Sequence, residues 1–254
     1  MNAYEIVMKS REKGRPTAVK YIEKIVDGFI ELHGDRRFAD DSAIVGGIGS
    51  LNGRPVTVIG IEKGEDTNAK VAHNFGCAHP EGYRKAMRLM KEAEKFHRPV
   101  LCFVDTSGAY CGIGAEERGQ AEAIASSIME MIRLKTPALS VLIGEGGSGG
   151  ALGLSAADEV WITETSTYSV ISPEGCASIL WKDSKKVKDA AESLRLTAQD
   201  MLELGVVEQV IPEEKEFSLT YAKLQEELEA ALSQLGQLPV EELREQRYQR
   251  FRKY

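Results

Sequence analysis

The feature that most constrains this chain is an apolar run, Ala138 to Ile143, leading directly into Gly144-Glu-Gly-Gly-Ser-Gly-Gly-Ala-Leu-Gly153. The run has the length and β-branched content of a buried strand. The short side chains that follow, through Ala157, suit a closely packed helix. Strand, glycine turn and helix together aim backbone N–H groups at an anion, because first-turn amides lack partners and the helix dipole makes that end partly positive. Glycines also clear away the Cβ atoms that would block close approach.

Three chemistries fit this stretch. Gly144, Gly146 and Gly149 match G-x-G-x-x-G with Glu164 about twenty residues on, the dinucleotide-binding pattern. Gly146, Ser148 and Gly150 match G-x-S-x-G, the nucleophile elbow. The third is an oxyanion hole made of backbone alone. A glycine loop with no chemistry is the plain alternative.

The rest of the chain narrows the choice. A length of 254 residues gives one large domain or two small ones, with ample core. The net charge of −7 argues against nucleic acid as the main partner. The four cysteines include no C-x-x-C, so reduced thiols and a cytoplasmic setting are expected. No signal peptide is apparent, and no apolar run approaches the roughly twenty residues of a membrane span.

Along the chain, residues 1–33 read as helical, with Ile22, Ile25, Val26 and Phe29 on one face. Strands are expected at Ile44–Leu51 and Val56–Ile61 around Asn52-Gly53, a strong hairpin signal. His73, Cys77 and His79 match no closed zinc site, and His33 is better read as a cap or surface residue than as a catalyst. A helix with Pro80 in its first turn precedes a second buried strand, Val100–Val104, which ends in the glycine-rich Asp105–Gly114. A helix over 115–134 follows. Strand, glycine turn and helix thus occur twice, implying a mainly parallel sheet whose two turns face one crevice. Short strands at 160–163, 168–171 and 206–211 alternate with helices. From 213 on the chain is helical and charged, and its terminal helix, 240–254, reads as a solvated or subunit-contacting surface. No long linker interrupts it, so a single domain over 1–254 is expected: a helical segment to about 40, a core over about 43–212, and helices beyond.

Elimination favours backbone chemistry. All four histidines precede Ser148, which rules out the Ser…Asp…His order of α/β-hydrolases. The G-x-G-x-x-G match falls past mid-chain, where a dinucleotide fold would need it in its first βα turn. No Lys-Ser or Lys-Thr follows the glycines, so a P-loop fails and no ATP site is expected. An oxyanion hole needs a second donor from another turn, and Thr106-Ser-Gly-Ala109 supplies one.

At these residues the sequence resembles the α subunits of bacterial acetyl-CoA carboxylase carboxyltransferase. The resemblance rests on Leu32-His-Gly-Asp-Arg36, Asn74-Phe-Gly76, Pro80-Glu-Gly-Tyr-Arg-Lys-Ala86, Gly112–Gln120, Gly144–Leu152 and Tyr168–Lys182, and runs from about residue 20 to about 212. It implies a crotonase-like (ClpP/crotonase) α/β fold of ββα units with N- and C-terminal helical appendages. It implies transfer of a carboxyl group from carboxybiotin, carried on the biotin carboxyl carrier protein, to acetyl-CoA, giving malonyl-CoA. A zinc-finger-bearing β subunit in an α2β2 assembly is implied, with a separate biotin carboxylase consuming ATP and no metal in this chain.

The implied oxyanion hole falls on the backbone of Gly146, Gly147, Gly149 and Gly150, with Gly108 and Ala109 opposite. Ser148, Tyr110, Ser172, Pro173, Glu174 and Gly175 are the implied substrate contacts. Ser107 and Cys111 stand where the family usually has proline. Three alternatives stay open: a paralogue acting on another acyl-CoA, a serine hydrolase using Ser148, and a non-catalytic scaffold.

Overall fold

A computed structural model describes all 254 residues. Eight strands form one sheet: β1 (Asp27–Glu31), β2 (Ile44–Leu51), β3 (Arg54–Ile61), β4 (Val100–Thr106), β5 (Ala138–Gly147), β6 (Glu159–Thr163), β7 (Thr167–Ser169) and β8 (Gln209–Ile211). The order is β1-β2-β3-β4-β5-β6-β8, with β7 pairing alongside the end of β5. The first two pairings are antiparallel and the rest are parallel. The β2–β3 turn is the expected Asn52-Gly53, with φ of 47° and 85°, the left-handed pair that matches the twist of a hairpin.

Both sheet faces are covered, which is why the central strands read as continuous apolar runs. Val100, Cys102 and Val104 point to one side, where helices Pro80–Lys95 and Gln120–Arg133 bury Tyr83, Leu89, Met90, Ala123 and Met131. Leu101 and Phe103 point to the other, onto Tyr21, Ile22 and Ile25 of helix Ala18–Ile25 and Leu224, Leu228 and Leu232 of helix Phe217–Leu235. Each Val, Leu, Ile, Phe or Met among them contributes about 1.5–3 kcal/mol when fully buried. Helices Ala18–Ile25 and Phe217–Leu235, far apart in the chain, therefore complete the second core together.

Two local expectations change, and the terminal helix shows an anchor that its charge pattern does not reveal. Phe29 does not extend a helix: the chain turns extended at Val26 and passes through Gly28 at φ +59°, and residues 27–31 pair with β2. The expected 115–134 helix is broken at Gly119, at φ +81°, into Ile113–Glu117 and Gln120–Arg133. Finally, the terminal helix Val240–Arg252 is anchored. Arg247 is buried, paired with Asp158 at 2.7 Å, and donates to the carbonyls of Met131, Leu134 and Thr136. There it caps the negative end of helix 120–133.

Candidate active site

The first strand of the motif runs further than its apolar residues suggest. Gly146 and Gly147 stay extended because β7 pairs with them, Gly146 opposite Tyr168 and Gly147 opposite Ser169. The helix that follows is a single turn or so, Ser148–Leu152. Ser148 sits at φ +51°, exposed, between half-buried Gly147 and Gly149, while Gly146 and Gly150 are buried.

Here the glycines are a packing requirement. A Cβ on Gly150 would lie 2.6 Å from the Ala109 amide nitrogen and 2.7 Å from the Gly108 carbonyl carbon. One on Gly147 would strike the Ser107 carbonyl and lie 2.8 Å from the Gly108 nitrogen. The turns after β4 and β5 therefore meet backbone to backbone, as the repeated strand-glycine-helix pattern predicts. Gly108 itself is at φ +149°. Its N–H is engaged by Thr106 Oγ1 at 3.0 Å, and Tyr110 N–H by the Ala78 carbonyl at 3.0 Å. Ala109 N–H has no acceptor within the chain. Gly149, by contrast, has room: its Cβ would meet only Ile124 Cγ2, at 3.5 Å.

Two clefts flank the β5 end. One is small and brings Ser172 and Pro173 to Gly146, Gly147 and Ser107. Ser172 caps the short helix Pro173–Cys176 by accepting the Gly175 N–H at 3.1 Å. The other, of about 510 Å³, is walled by Ser148 and Gly149 together with Leu152, Tyr168, Val170, Leu194, Met201 and Val206. Tyr110 lines neither; it stacks on His79 at 4.0 Å between ring centres. Gln120 holds this loop by donating to the carbonyls of Ala78 and Tyr110, both at 2.8 Å. Ser107 Oγ lies 3.6 Å from Cys77 Sγ, and Cys111 is exposed.

A charged cluster behind the turns has no local signal in the sequence. Glu145 accepts from Arg11 Nε at 2.7 Å and from Lys63 Nζ at 2.6 Å. Lys63 Nζ also reaches Asp105 Oδ1 at 3.2 Å, and that oxygen accepts the Glu145 N–H at 2.9 Å. Arg11 Nη1 continues to Glu174 at 2.7 Å. Burial opposes ionisation of Glu145, yet Lys63 and Arg11 outweigh it and hold the carboxyl below its usual range. The Arg11 contact likewise lowers Glu174. Only knowing that Arg11 lies beside β5, 134 residues away, reveals the cluster.

The histidines turn elsewhere. His33 bonds Asp40 at 2.8 Å, His73 bonds the Ser42 carbonyl, and none hydrogen-bonds Ser148. No group of three His, Cys, Asp or Glu is placed to hold a metal ion. No helix is long and apolar enough to cross a membrane.

A family model described as acetyl co-enzyme A carboxylase carboxyltransferase-like matches residues 1–254. An acetyl-coenzyme A carboxylase carboxyl transferase subunit alpha from Ruminiclostridium cellulolyticum is 57% identical over 254 residues, covering 100% of this chain and 98% of its own. Among solved structures, transcarboxylase 12S with methylmalonyl-coenzyme A bound aligns at a TM-score of 0.72 and 19% identity, over 90% of this chain and 44% of the other. The β subunit of P. aeruginosa geranyl-CoA carboxylase aligns at 0.67 and 17%, again over 90% and 44%. The chain thus spans under half the length of those two neighbours. These likenesses bear out the crotonase-like α/β fold.

Proposed function

The chain belongs to the acetyl-CoA carboxylase carboxyltransferase α-subunit family, and from that membership we propose how its residues serve the reaction. It is a carboxyl-transferring enzyme subunit, moving a carboxyl group from carboxybiotin to acetyl-CoA to form malonyl-CoA for fatty-acid synthesis. Its relatives are named as subunits, so it works within a multi-subunit assembly. We take that assembly as α2β2, with a zinc-finger-bearing β subunit that binds the acyl-CoA. The biotin carboxyl carrier protein delivers the group, and a separate biotin carboxylase consumes ATP.

The observation that carries the site assignment is the backbone contact between the two turns, with the Ala109 N–H left free beside Gly150. First-turn amides at Ser148–Gly150 supply further donors. Preorganised amides stabilise an oxyanion without side-chain titration, each worth roughly 10²–10³ in rate. The residues present fit a biotinyl group: the glycines give unhindered backbone, and the apolar wall of Leu152, Tyr168 and Val170 suits an uncharged ring system. When bound, that group supplies an activated carboxyl and leaves negative charge on its ureido oxygen. The Ala109 and Gly149-Gly150 amides would meet that charge, while Ser172 and Pro173 line the neighbouring small cleft. Gly108 shapes the turn, since its own amide is engaged by Thr106.

The test is co-purification with a candidate β subunit, followed by biotin-dependent malonyl-CoA decarboxylation, the reverse half-reaction. Activity only in the mixed complex supports the reading. A stable complex that turns over a different acyl-CoA would identify a paralogous carboxyltransferase, and absence of any complex would overturn the assignment.

A further inference from the structure

The β4–β5 ladder slips next to the candidate site. Val104 pairs with Leu142, but the next pair is Thr106 with Gly146, so Asp105 alone stands opposite Ile143, Gly144 and Glu145. Two extra residues on β5 advance its glycines along the sheet. That offset brings Gly147 and Gly150 against the Ser107–Ala109 backbone. Bulges of this kind re-aim a chain near functional sites, but they interrupt the ladder and need other contacts to hold them.

The charged cluster sits on this bulge. Asp105 Oδ1 accepts the Glu145 N–H at 2.9 Å, taking over a donor from the interrupted ladder. Lys63 Nζ bridges the Asp105 and Glu145 carboxylates at 3.2 and 2.6 Å. Arg11 pins the other Glu145 oxygen at 2.7 Å and reaches Glu174, two residues beyond Ser172. The Lys63, Asp105 and Glu145 side chains are 16%, 6% and 12% exposed, so solvent screens them weakly. Gly144 completes the fit, because a Cβ there would collide with the Asp105 carboxylate.

Glu145 precedes the glycine pair and lines the same small cleft. A carboxylate there opposes any nearby oxyanion, so its charge is a disadvantage to the chemistry unless it holds something in place. We propose that Glu145, clamped between Arg11 and Lys63, is a positioning residue that fixes the bulge and thereby the spacing of the two backbone turns. The proposal rests on the carboxyltransferase reading only for its effect on turnover.

The first measurement is amide hydrogen exchange on the full chain, wild type against Glu145→Gln, which keeps shape but loses the charge. Exchange over 105–109 and 145–150 is expected to rise at least tenfold, with the helices at 80–95 and 120–133 unchanged. Unchanged exchange in the two turns overturns the proposal, whether or not the chain has activity. The second measurement uses the complex with its partner subunit in biotin-dependent malonyl-CoA decarboxylation. Glu145→Gln should lower kcat about tenfold or more while KM for malonyl-CoA stays within about twofold. Arg11→Met combined with Glu145→Gln should be no worse than the worse single variant, since both act through one contact.

Lys63→Arg should retain several-fold more kcat than Lys63→Met, and this pair gives the same reading should Glu145→Gln fail to fold. A kcat within twofold of wild type, or a loss that only follows loss of folded complex, overturns the proposal. A wild-type complex without turnover refutes the carboxyltransferase reading instead, and the exchange result still decides the role of Glu145.

Discussion

Gly150→Ala is the sharpest test of the paired turns. The added methyl would lie 2.6 Å from the Ala109 nitrogen, and ordinary contact begins at 3.4 Å, so the turns must part by about 0.8 Å. The same methyl covers the Ala109 amide, which has no acceptor in the chain. Misplacement of about 1 Å costs on the order of 10²-fold in rate, and loss of a single oxyanion donor costs roughly 10²–10³-fold. A fall in kcat of about 100-fold or more is therefore expected. Overpacking costs about 1–3 kcal/mol, so Tm should drop by only a few degrees up to about 12 °C, leaving a folded chain to assay. Gly149→Ala is the comparison, because its methyl meets only Ile124 at 3.5 Å and keeps the N–H; its loss should stay under about tenfold. Both variants would be purified with the partner subunit and assayed for biotin-dependent malonyl-CoA decarboxylation. A folded Gly150→Ala complex with kcat within threefold of wild type refutes the paired-turn hole. Equal losses for the two variants would refute the geometry that separates them.

Three further outcomes follow from the structure. Ser148→Ala should leave kcat within a few-fold in the same assay, since no histidine bonds Ser148; a loss approaching 10⁶-fold, as for a serine nucleophile, would revive the hydrolase alternative. Arg247→Ala strands Asp158 and several buried carbonyls, and should cost about 3–5 kcal/mol, read as a fall in the denaturant midpoint at unchanged slope. Burial works against ionised Asp40, but Lys85, the Gly34 N–H and His33 win and bring it down to about 2, below its ordinary 3.8. Its contribution is then complete above about pH 4 and lost as pH falls towards 2, so the Tm gap between wild type and Asp40→Asn should close over that window.

Much of the fold is legible because its signals are local. Val100–Val104 and Ala138–Ile143 read as buried strands from composition alone, and Asn52-Gly53 announces its hairpin. Phe29 was misleading because one residue at helical spacing weighs less than Gly28 and the open edge of β2. The glycine stretch was legible as backbone presentation. Its division of labour was not: Gly147 and Gly150 are held by contacts with Ser107–Ala109, whereas Gly149 is free of them. That distinction depends on the β4–β5 slip and on pairing with β7, and neither leaves a motif. Arg11, Lys63 and Glu145 carry no sequence signal for a similar reason. Each is an ordinary charged residue until the sheet brings them together, and no spacing along the chain marks them.

The buried guanidinium of Arg247 also sets an order of events during synthesis. It serves the carbonyls of Thr136, Leu134 and Met131, which leave the ribosome 111, 113 and 116 residues earlier. At about 5–20 residues per second, those carbonyls and the Asp158 carboxylate stay in water for many seconds before their partner exists. The central strands and the glycine turns can pair during that interval, but the end of helix 120–133 cannot be dehydrated. Mature packing on that side of the sheet is therefore a late, slow-arriving step, and shortening the chain before Arg247 would withhold it altogether.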